Sequence, residues 1–293
     1  MLPITIGIIG GSGLYKMKDL SDVEEIKVET PYGPPSDNFI VGTLAKRRVA
    51  FLPRHGRGHR FLPSEINYRA NVFGFKKLGV RQVISISAVG SLKEEHKPLD
   101  IILPDQFIDR TFRRAATFFG DGVVAHIAFG DPLCRHLVNC VAQGAQNAEI
   151  PVKVRGSYLC MEGPAFSTRA ESNLYRSWGL DIIGMTNATE AKLFREAEIC
   201  YATMALVTDY DCWHQSEAPV TVDMIIENLS RNNENAQRIL KETVKGLPED
   251  RDCTCHHALK DALITPPDSI PPSTREKLAL IIGHYLPDKT KTE

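Results

Sequence analysis

The run ICYATMALVTDYD, Ile199 to Asp211, decides how the chain is read. Ile199 to Thr208 is a largely apolar stretch of strand character that stops on Asp209-Tyr210-Asp211. Such a strand is buried, as in sheets covered by helices on both faces. Outward from it the pattern alternates. Asp181 to Met185 is a short strand, and Asn187 with Glu190 suggests a cap for the helix that follows. Thr168, with Glu171 three residues on, has the capping-box signature of a helix ending near Gly179. Ile4 to Ile9 is a strand running into Gly10-Gly11-Ser12-Gly13, and Val83 to Ala88 is a strand breaking at Gly90. Phe39 to Ala45 and Arg48 to Leu52 form a hairpin ending at Pro53-Arg54-His55-Gly56. Pro63 and Ser64 open a helix that Gly79 stops. Beyond the central run, Thr221 to Val244 is helical, 247–272 is an excursion rich in Pro, Asp, Cys and His, and a last helix runs from the Ser273/Glu276 pair to about Tyr285. The expectation is an α/β fold, one domain over 1–293, with a central mostly parallel or mixed sheet flanked by helices.

Composition narrows the partners. The 35 Lys and Arg balance 36 Asp and Glu, leaving a formal charge of -1. With no basic excess, binding to nucleic acid by counterion release is not expected. No apolar run is long enough to cross a bilayer, and the apolar start MLPITIGIIGGSGL lacks a charged leader region. A cytoplasmic protein for small ligands is expected.

Seven cysteines cannot all pair within one chain. Cys134, Cys140, Cys160, Cys200 and Cys212 read as buried free thiols. Cys253-Thr254-Cys255-His256-His257 is denser and reads as silent, as a disulfide or as part of a metal site. Against the metal stands the lack of a second cysteine pair nearby in the sequence.

Polar residues gather just after the strands, where open α/β sheets bind ligands. The glycines at 7, 10, 11 and 13 do not follow G-x-G-x-x-G spacing, so no dinucleotide fingerprint is present. Their turn, with Ser12, either holds an anion or simply reverses the chain. Arg54 and His55 offer a forked donor and a second donor suited to phosphate, unless they belong to a solvated loop. Ser87 with the Ala88 amide, and Thr186, add donors or else mark a strand end and a helix cap. Asp209 and Asp211, two apart, point the same way on an extended segment. As a pair they keep one proton, hold a metal, or accept from a donor-rich ligand edge; otherwise they are a plain acidic turn. An anion pocket opposite a carboxylate pair suggests phosphate as one reactant and a basic leaving group as the other.

Taken in order, Gly10-Gly11-Ser12-Gly13-Leu14, Arg54-His55-Gly56, Ser87-Ala88-Val89-Gly90-Ser91, Glu162 to Glu171 and Met185-Thr186 resemble the trimeric purine nucleoside phosphorylase family over roughly 5–245. Thr208 to Trp213 is similar to its branch for 5'-methylthio adenine nucleosides. The resemblance implies phosphorolysis of S-methyl-5'-thioadenosine to adenine and 5-methylthioribose 1-phosphate in purine and methionine salvage. No metal and no cofactor is implied, only inorganic phosphate as co-substrate, with a homotrimer or dimer of trimers as the assembly. It places Ser12, Arg54, His55, Ser87, Ala88 and Thr186 on phosphate and Met185 against the ribose. Asp209 and Asp211 fall at purine N7 and the 6-amino group, with Asp209 as acid. His126 resembles a histidine lent by a neighbouring subunit.

Specificity rests on Ser167, Asp209 and Val222, where the 6-oxopurine branch has Glu, Asn and His. That branch, acting on inosine, guanosine or methylthioinosine, is the alternative. The final helix, with Leu278, Ile282 and Tyr285, is expected to cover the 5' pocket. Two departures lie near the ribose: Gly184 where asparagine is common, and Asn187-Ala188-Thr189-Glu190 in place of a T-V-P-E run.

Overall fold

Eleven strands join in one sheet in a computed structural model that describes residues 3–11, 17–214 and 222–287, without the side chains of 222–225 and 229. In chain order the elements are β1 (Ile6–Gly10), β2 (Ser21–Ile26), β3 (Phe39–Leu44), β4 (Arg47–Pro53), α1 (Tyr68–Lys77), β5 (Gln82–Ser91), β6 (Ile101–Leu103), β7 (Gln106–Asp109), α2 (Arg135–Asn147) and β8 (Lys153–Val154). There follow β9 (Ser157–Cys160), α3 (Arg169–Ser177), β10 (Ile182–Gly184), α4 (Asn187–Glu196), β11 (Cys200–Asp209), α5 (Val222–Gly246), α6 (Pro272–Lys277) and α7 (Ala279–Ile282).

The sheet is mixed, as expected. β1 runs parallel to β4 and β5, and β11 runs parallel to β5, so these four strands end on one side. β11 is buried along its whole length, as its apolar run requires. β2, β3 and β4 form an antiparallel edge. The sheet forks at the end of β5, where Ile183 of β10 pairs with Gly90 antiparallel and Asp209 of β11 pairs with Gly90 from the other side. A Cβ at Gly90 would stand 3.0 Å from Asp209 Oδ1 and 3.1 Å from Ile183 Cγ2, so any side chain at this junction would press on Asp209 and Ile183. The strand expected to break at Gly90 therefore continues to Ser91, because β10 supplies a new partner.

Three local expectations are corrected. The helix placed from Ser64 starts at Tyr68: Asn67 Oδ1 caps it by accepting from the Ala70 amide at 3.2 Å, while Glu65 accepts from the Leu62 amide at 2.9 Å and holds the preceding turn. Thr168 and Glu171 do form their capping box, but Asn187 and Glu190 do not. Ser273 and Glu276 cap nothing either, since Pro271 takes the cap position and Pro272 opens α6.

The C-terminal excursion belongs to the main core: Leu259, Ala262, Ile270, Leu278, Ile281 and Ile282 pack in the same cluster as the strands. It is fastened at the amino end of β11. Glu198 accepts from the Leu259 amide at 3.1 Å and the Tyr285 hydroxyl at 2.6 Å. β11 has ten residues, so Tyr285 sits about 30 Å of strand from Asp209. The last helical turns are thus fastened to the amino end of β11. The cysteines are free thiols, as expected, but the second pair that the local sequence lacks is present in space. The sulfurs of Cys134, Cys200, Cys253 and Cys255 all lie within 4.8 Å of one another. The second pair comes from residues far off in sequence, because the α2 entry bonds to β11 (Cys134 amide to Tyr201 carbonyl, 2.9 Å) and the excursion folds over both.

Candidate active site

The anion side is built on one buried network. Arg54 leaves β4 almost fully buried, and its Nε and Nη2 pair with both oxygens of Glu190. Its Nη2 also donates to Ser85 Oγ at 2.6 Å and its Nη1 to the Ile86 carbonyl at 3.0 Å. Four of the five guanidinium hydrogens are thereby used, leaving one on Nη1. Burial opposes the charge, but Glu190 outweighs it and holds Arg54 protonated. Asn187 continues the network: Nδ2 lies 3.0 Å from Ser85 Oγ and 2.9 Å from Tyr201 Oη, and Oδ1 accepts from Tyr158 and Thr186 hydroxyls at 3.1 Å. Tyr158 Oη is in turn 3.4 Å from Ser87 Oγ. Arg54, Ser87 and Thr186 are thus brought together, with the amino terminus of α4 at Thr186 adding amides and a favourable dipole for an anion.

This explains why the cap reading of Asn187 and Glu190 fails. Three residues apart on α4, they share its inner face and spend their polar atoms inward. That spacing on a buried helix was the available signal for both. The Gly184 departure has a physical reason too: a Cβ there would stand 1.9 Å from Tyr158 Oη. Glycine makes room for the tyrosine that links Ser87 to Asn187.

His55 behaves differently from the second donor expected of it. Its Nδ1 donates to the Phe61 carbonyl at 2.8 Å, and burial, ahead of the Arg54 charge, lowers its pKa to about 4. A neutral ring with its proton on Nδ1 presents a lone pair at Nε2. Towards a phosphate it accepts rather than donates, which suits the hydroxyl of the monohydrogen anion. Ser12 lies outside the described residues. Ala88 is half-buried on β5 beside Ser87.

Met185 is held from behind by Arg114, a residue that no sequence pattern singled out. Arg114 Nη1 donates to the Met185 carbonyl, Nη2 to the Glu162 carbonyl at 2.7 Å, and Nε to Glu162 Oε1 at 3.3 Å. Glu162 Oε2 also accepts from the Phe112 amide at 2.7 Å. Arg114 stands among several arginines in 110–114, so nothing local distinguished it.

The carboxylate side lies at the fork. Asp209 is buried; Oδ1 accepts from the Asp211 amide at 2.8 Å, and Oδ2 lies 2.7 Å from Thr208 Oγ1. Thr208 Oγ1 is also 3.2 Å from the Val89 carbonyl. Thr208 Oγ1 is placed to donate to either oxygen, so Asp209 has a partner within the chain on each of its oxygens. Burial, more than the Asp211 charge, raises the Asp209 pKa. The two aspartates do not meet by the strand alternation expected of them. A register shift interrupts the ladder between Val207 and Asp209, and Asp211 takes φ 53°, so the chain turns and Asp211 folds back onto Asp209.

Burial also raises the Asp211 pKa, against the pull of the Ser172 and Ser167 hydroxyls. Asp211 Oδ2 is buried with no hydrogen-bond partner among the described residues. Ser167 is buried beside this pair, and its carbonyl accepts from Cys212 Sγ at 3.2 Å. Val222 opens α5, and its side chain lies outside what is described. His126 is not brought to the strand ends. Its amide bonds to the Ala262 carbonyl at 2.8 Å, and nearby Ala128 accepts from Arg195 at the far end of α4.

Comparison with known proteins fits this geometry. The sequence pattern of the phosphorylase superfamily matches residues 5–245. The chain belongs to the phosphorylase superfamily. Within it, the chain is 60% identical to the S-methyl-5'-thioadenosine phosphorylase of Koribacter versatilis, over 96% of each chain. It is 59% identical to the protein of the same name from Gloeobacter violaceus, over 96% of this chain and 95% of that one. Among solved structures, a methylthioadenosine phosphorylase from an antarctic soil metagenomic library superposes with TM-score 0.92 at 50% identity, covering 96% of this chain and 99% of that one. The Schistosoma mansoni methylthioadenosine phosphorylase in complex with tubercidin gives TM-score 0.80 at 36% identity, covering 88% and 96%.

Proposed function

We propose that this member of the superfamily cleaves the N-glycosidic bond of S-methyl-5'-thioadenosine with inorganic phosphate, releasing adenine and 5-methylthioribose 1-phosphate. The observation that carries the reading is the Asp209/Asp211 pair, with one buried oxygen unpartnered among the described residues, on the same sheet edge as the Arg54–Ser87–Thr186 network. Phosphate lies between the α4 amino terminus, Ser87, the Ala88 amide and the remaining Arg54 hydrogen, with Ser12 as a further donor. His55 Nε2 accepts from its hydroxyl. As the C1'–N9 bond lengthens, the ribose becomes positive and the purine negative. The fixed phosphate stabilises the first and forms the new C1'–O bond. Asp209 gives its proton to N7, so the bond electrons leave with a neutral base. Asp211 accepts from the 6-amino group and fills its empty oxygen. Met185, steadied by Arg114, lies against the ribose.

Adenine selectivity follows from that acceptor. A 6-oxo group facing Asp211 leaves two lone pairs opposed, a mismatch worth about 1–3 kcal/mol. Ser167 and Val222 complete the preference, and no cofactor or catalytic metal takes part. The working form is a homotrimer or dimer of trimers in the cytoplasm, serving purine and methionine salvage. His126 supports an assembly: it and the excursion form one unit directed away from their own strand ends, with Val124 and Ile264 exposed beside it at 46% and 61%. Presented to a neighbour, this unit supplies the histidine and the cover that a single chain lacks.

A substrate panel tests the reading. With phosphate present, methylthioadenosine should release base faster than adenosine, and both faster than inosine or methylthioinosine. Hypoxanthine as the dominant product would overturn adenine selectivity and favour the 6-oxopurine alternative.

A further inference from the structure

Four cysteines from three separate parts of the chain meet at the amino end of β11, away from the proposed chemistry. Cys134 precedes α2, Cys200 opens β11, and Cys253 and Cys255 come from the excursion. Cys134, Cys200 and Cys255 are buried and Cys253 is half-buried. All four sulfurs lie within 4.8 Å of one another. Cys200 and Cys253 sulfurs are 3.4 Å apart, and every cysteine is a free thiol. A disulfide would need about 2.05 Å. Four sulfurs at about 2.3 Å from a central ion in a tetrahedron stand about 3.8 Å from one another, which is the spacing class seen.

We propose that Cys134, Cys200, Cys253 and Cys255 form a closed tetrahedral Zn²⁺ site that staples the C-terminal excursion to β11. The donor set selects the ion: a tetrahedral S4 shell of thiolates suits zinc, and with all four positions filled by protein the site is structural. Binding exchanges four thiol protons for the ion and leaves the centre with two negative charges. Arg251 is placed to offset them. Its Nη1 lies 4.0 Å from Cys200 Sγ while also donating to the Glu198 carbonyl at 3.1 Å. The anchors are rigid as well: the Cys134 and Cys200 amides bond to the Tyr201 and Arg81 carbonyls, each at 2.9 Å. Glu198, two residues before Cys200, holds Leu259 and Tyr285, so the ion and the carboxylate fasten the same segment from adjacent points.

Elemental analysis and zinc K-edge absorption on the full chain, purified under reducing conditions, test the site. Expected is one zinc per chain with four sulfur neighbours, retained through dialysis against a weak chelator. Cys140→Ser, outside the cluster, should keep the full complement, and Cys253→Ser should lose it on the same dialysis. Overturning results are a metal-free protein with seven titratable thiols, a protein with cysteines paired as disulfides, or zinc bound through oxygen and nitrogen neighbours. Iron in place of zinc would also overturn the assignment. Should Cys253→Ser not fold, the wild-type absorption spectrum still decides.

Discussion

At the amino end of β11, Glu198 is fully engaged, accepting from the Leu259 amide and the Tyr285 hydroxyl and lying 3.3 Å from His284 Nε2. At the carboxyl end, Asp211 keeps a buried oxygen with no partner among the described residues. Both carboxylates are buried or half-buried beside one strand, yet one end spends its polar valences within the chain and the other holds some open. Among the described residues, Arg54, with one hydrogen left, and His55, with no partner at Nε2, share the open character. Closed valences fasten elements, whereas open ones await a ligand whose groups complete them. The same rule separates Glu198, whose oxygens bind elements of the chain together, from Asp211, whose Oδ2 has no partner among the described residues.

The sharpest way to break this contrast is Asp209→Asn. An amide keeps the volume at the fork but removes the acid, so kcat/KM for methylthioadenosine should fall about 10²–10⁴-fold with the urea midpoint little changed. Unaltered turnover would mean that the proton comes from elsewhere. Next comes the pair that joins the two kinds of region. Glu190→Gln leaves the Arg54 charge buried without its partner and should lower unfolding free energy by about 3–5 kcal/mol. A urea titration showing less than 1 kcal/mol would mean that Arg54 finds water or another acceptor.

Smaller effects sharpen the comparison. Glu198→Ala should reduce stability by about 1–3 kcal/mol and raise amide exchange across 255–285, leaving exchange at Val207 to Asp209 unchanged. Faster exchange at both ends would show that the two are not independent. The pH response of His55 is smaller still. Its folded pKa, near 4, lies below the ordinary histidine value of 6.5, so the unfolded chain binds more protons between these values. Its stabilising contribution is present above about pH 6.5 and is lost as pH falls towards 4. His55→Gln should therefore lose less stability than the wild type between pH 7 and pH 5. Parallel slopes for the two would contradict the buried, neutral ring.

What was legible in the sequence was set by chain-local physics. Apolar runs, glycine stops and the Thr168–Glu171 box announced the elements, and the placing of polar residues after strands announced the site. Where two local rules competed, the reading failed: Asn187 and Glu190 fit a cap pattern, but burial of α4 turned both inward to Ser85 and Arg54. Ser273 and Glu276 failed because two prolines had already fixed the helix start. Contacts that close over long separations left no local trace. Arg114 reaches Met185, Tyr158 fills the space above Gly184, and Cys134 joins Cys255, each through tertiary packing alone. The direction of the last helical turns, towards Glu198 and away from Asp209, was hidden for the same reason.

The central claim is that the open valences at the carboxyl end of β11 bind phosphate and a purine nucleoside together and exchange one for the other. Phosphorus NMR of the protein with methylthioadenosine, run with and without inorganic phosphate while released base is quantified, tests it most directly. Expected is adenine formed only when phosphate is present, in step with loss of the inorganic signal and growth of one sugar 1-phosphate resonance. Adenine released at the same rate without phosphate, with no new phosphorus signal, would contradict it and make the enzyme a hydrolase.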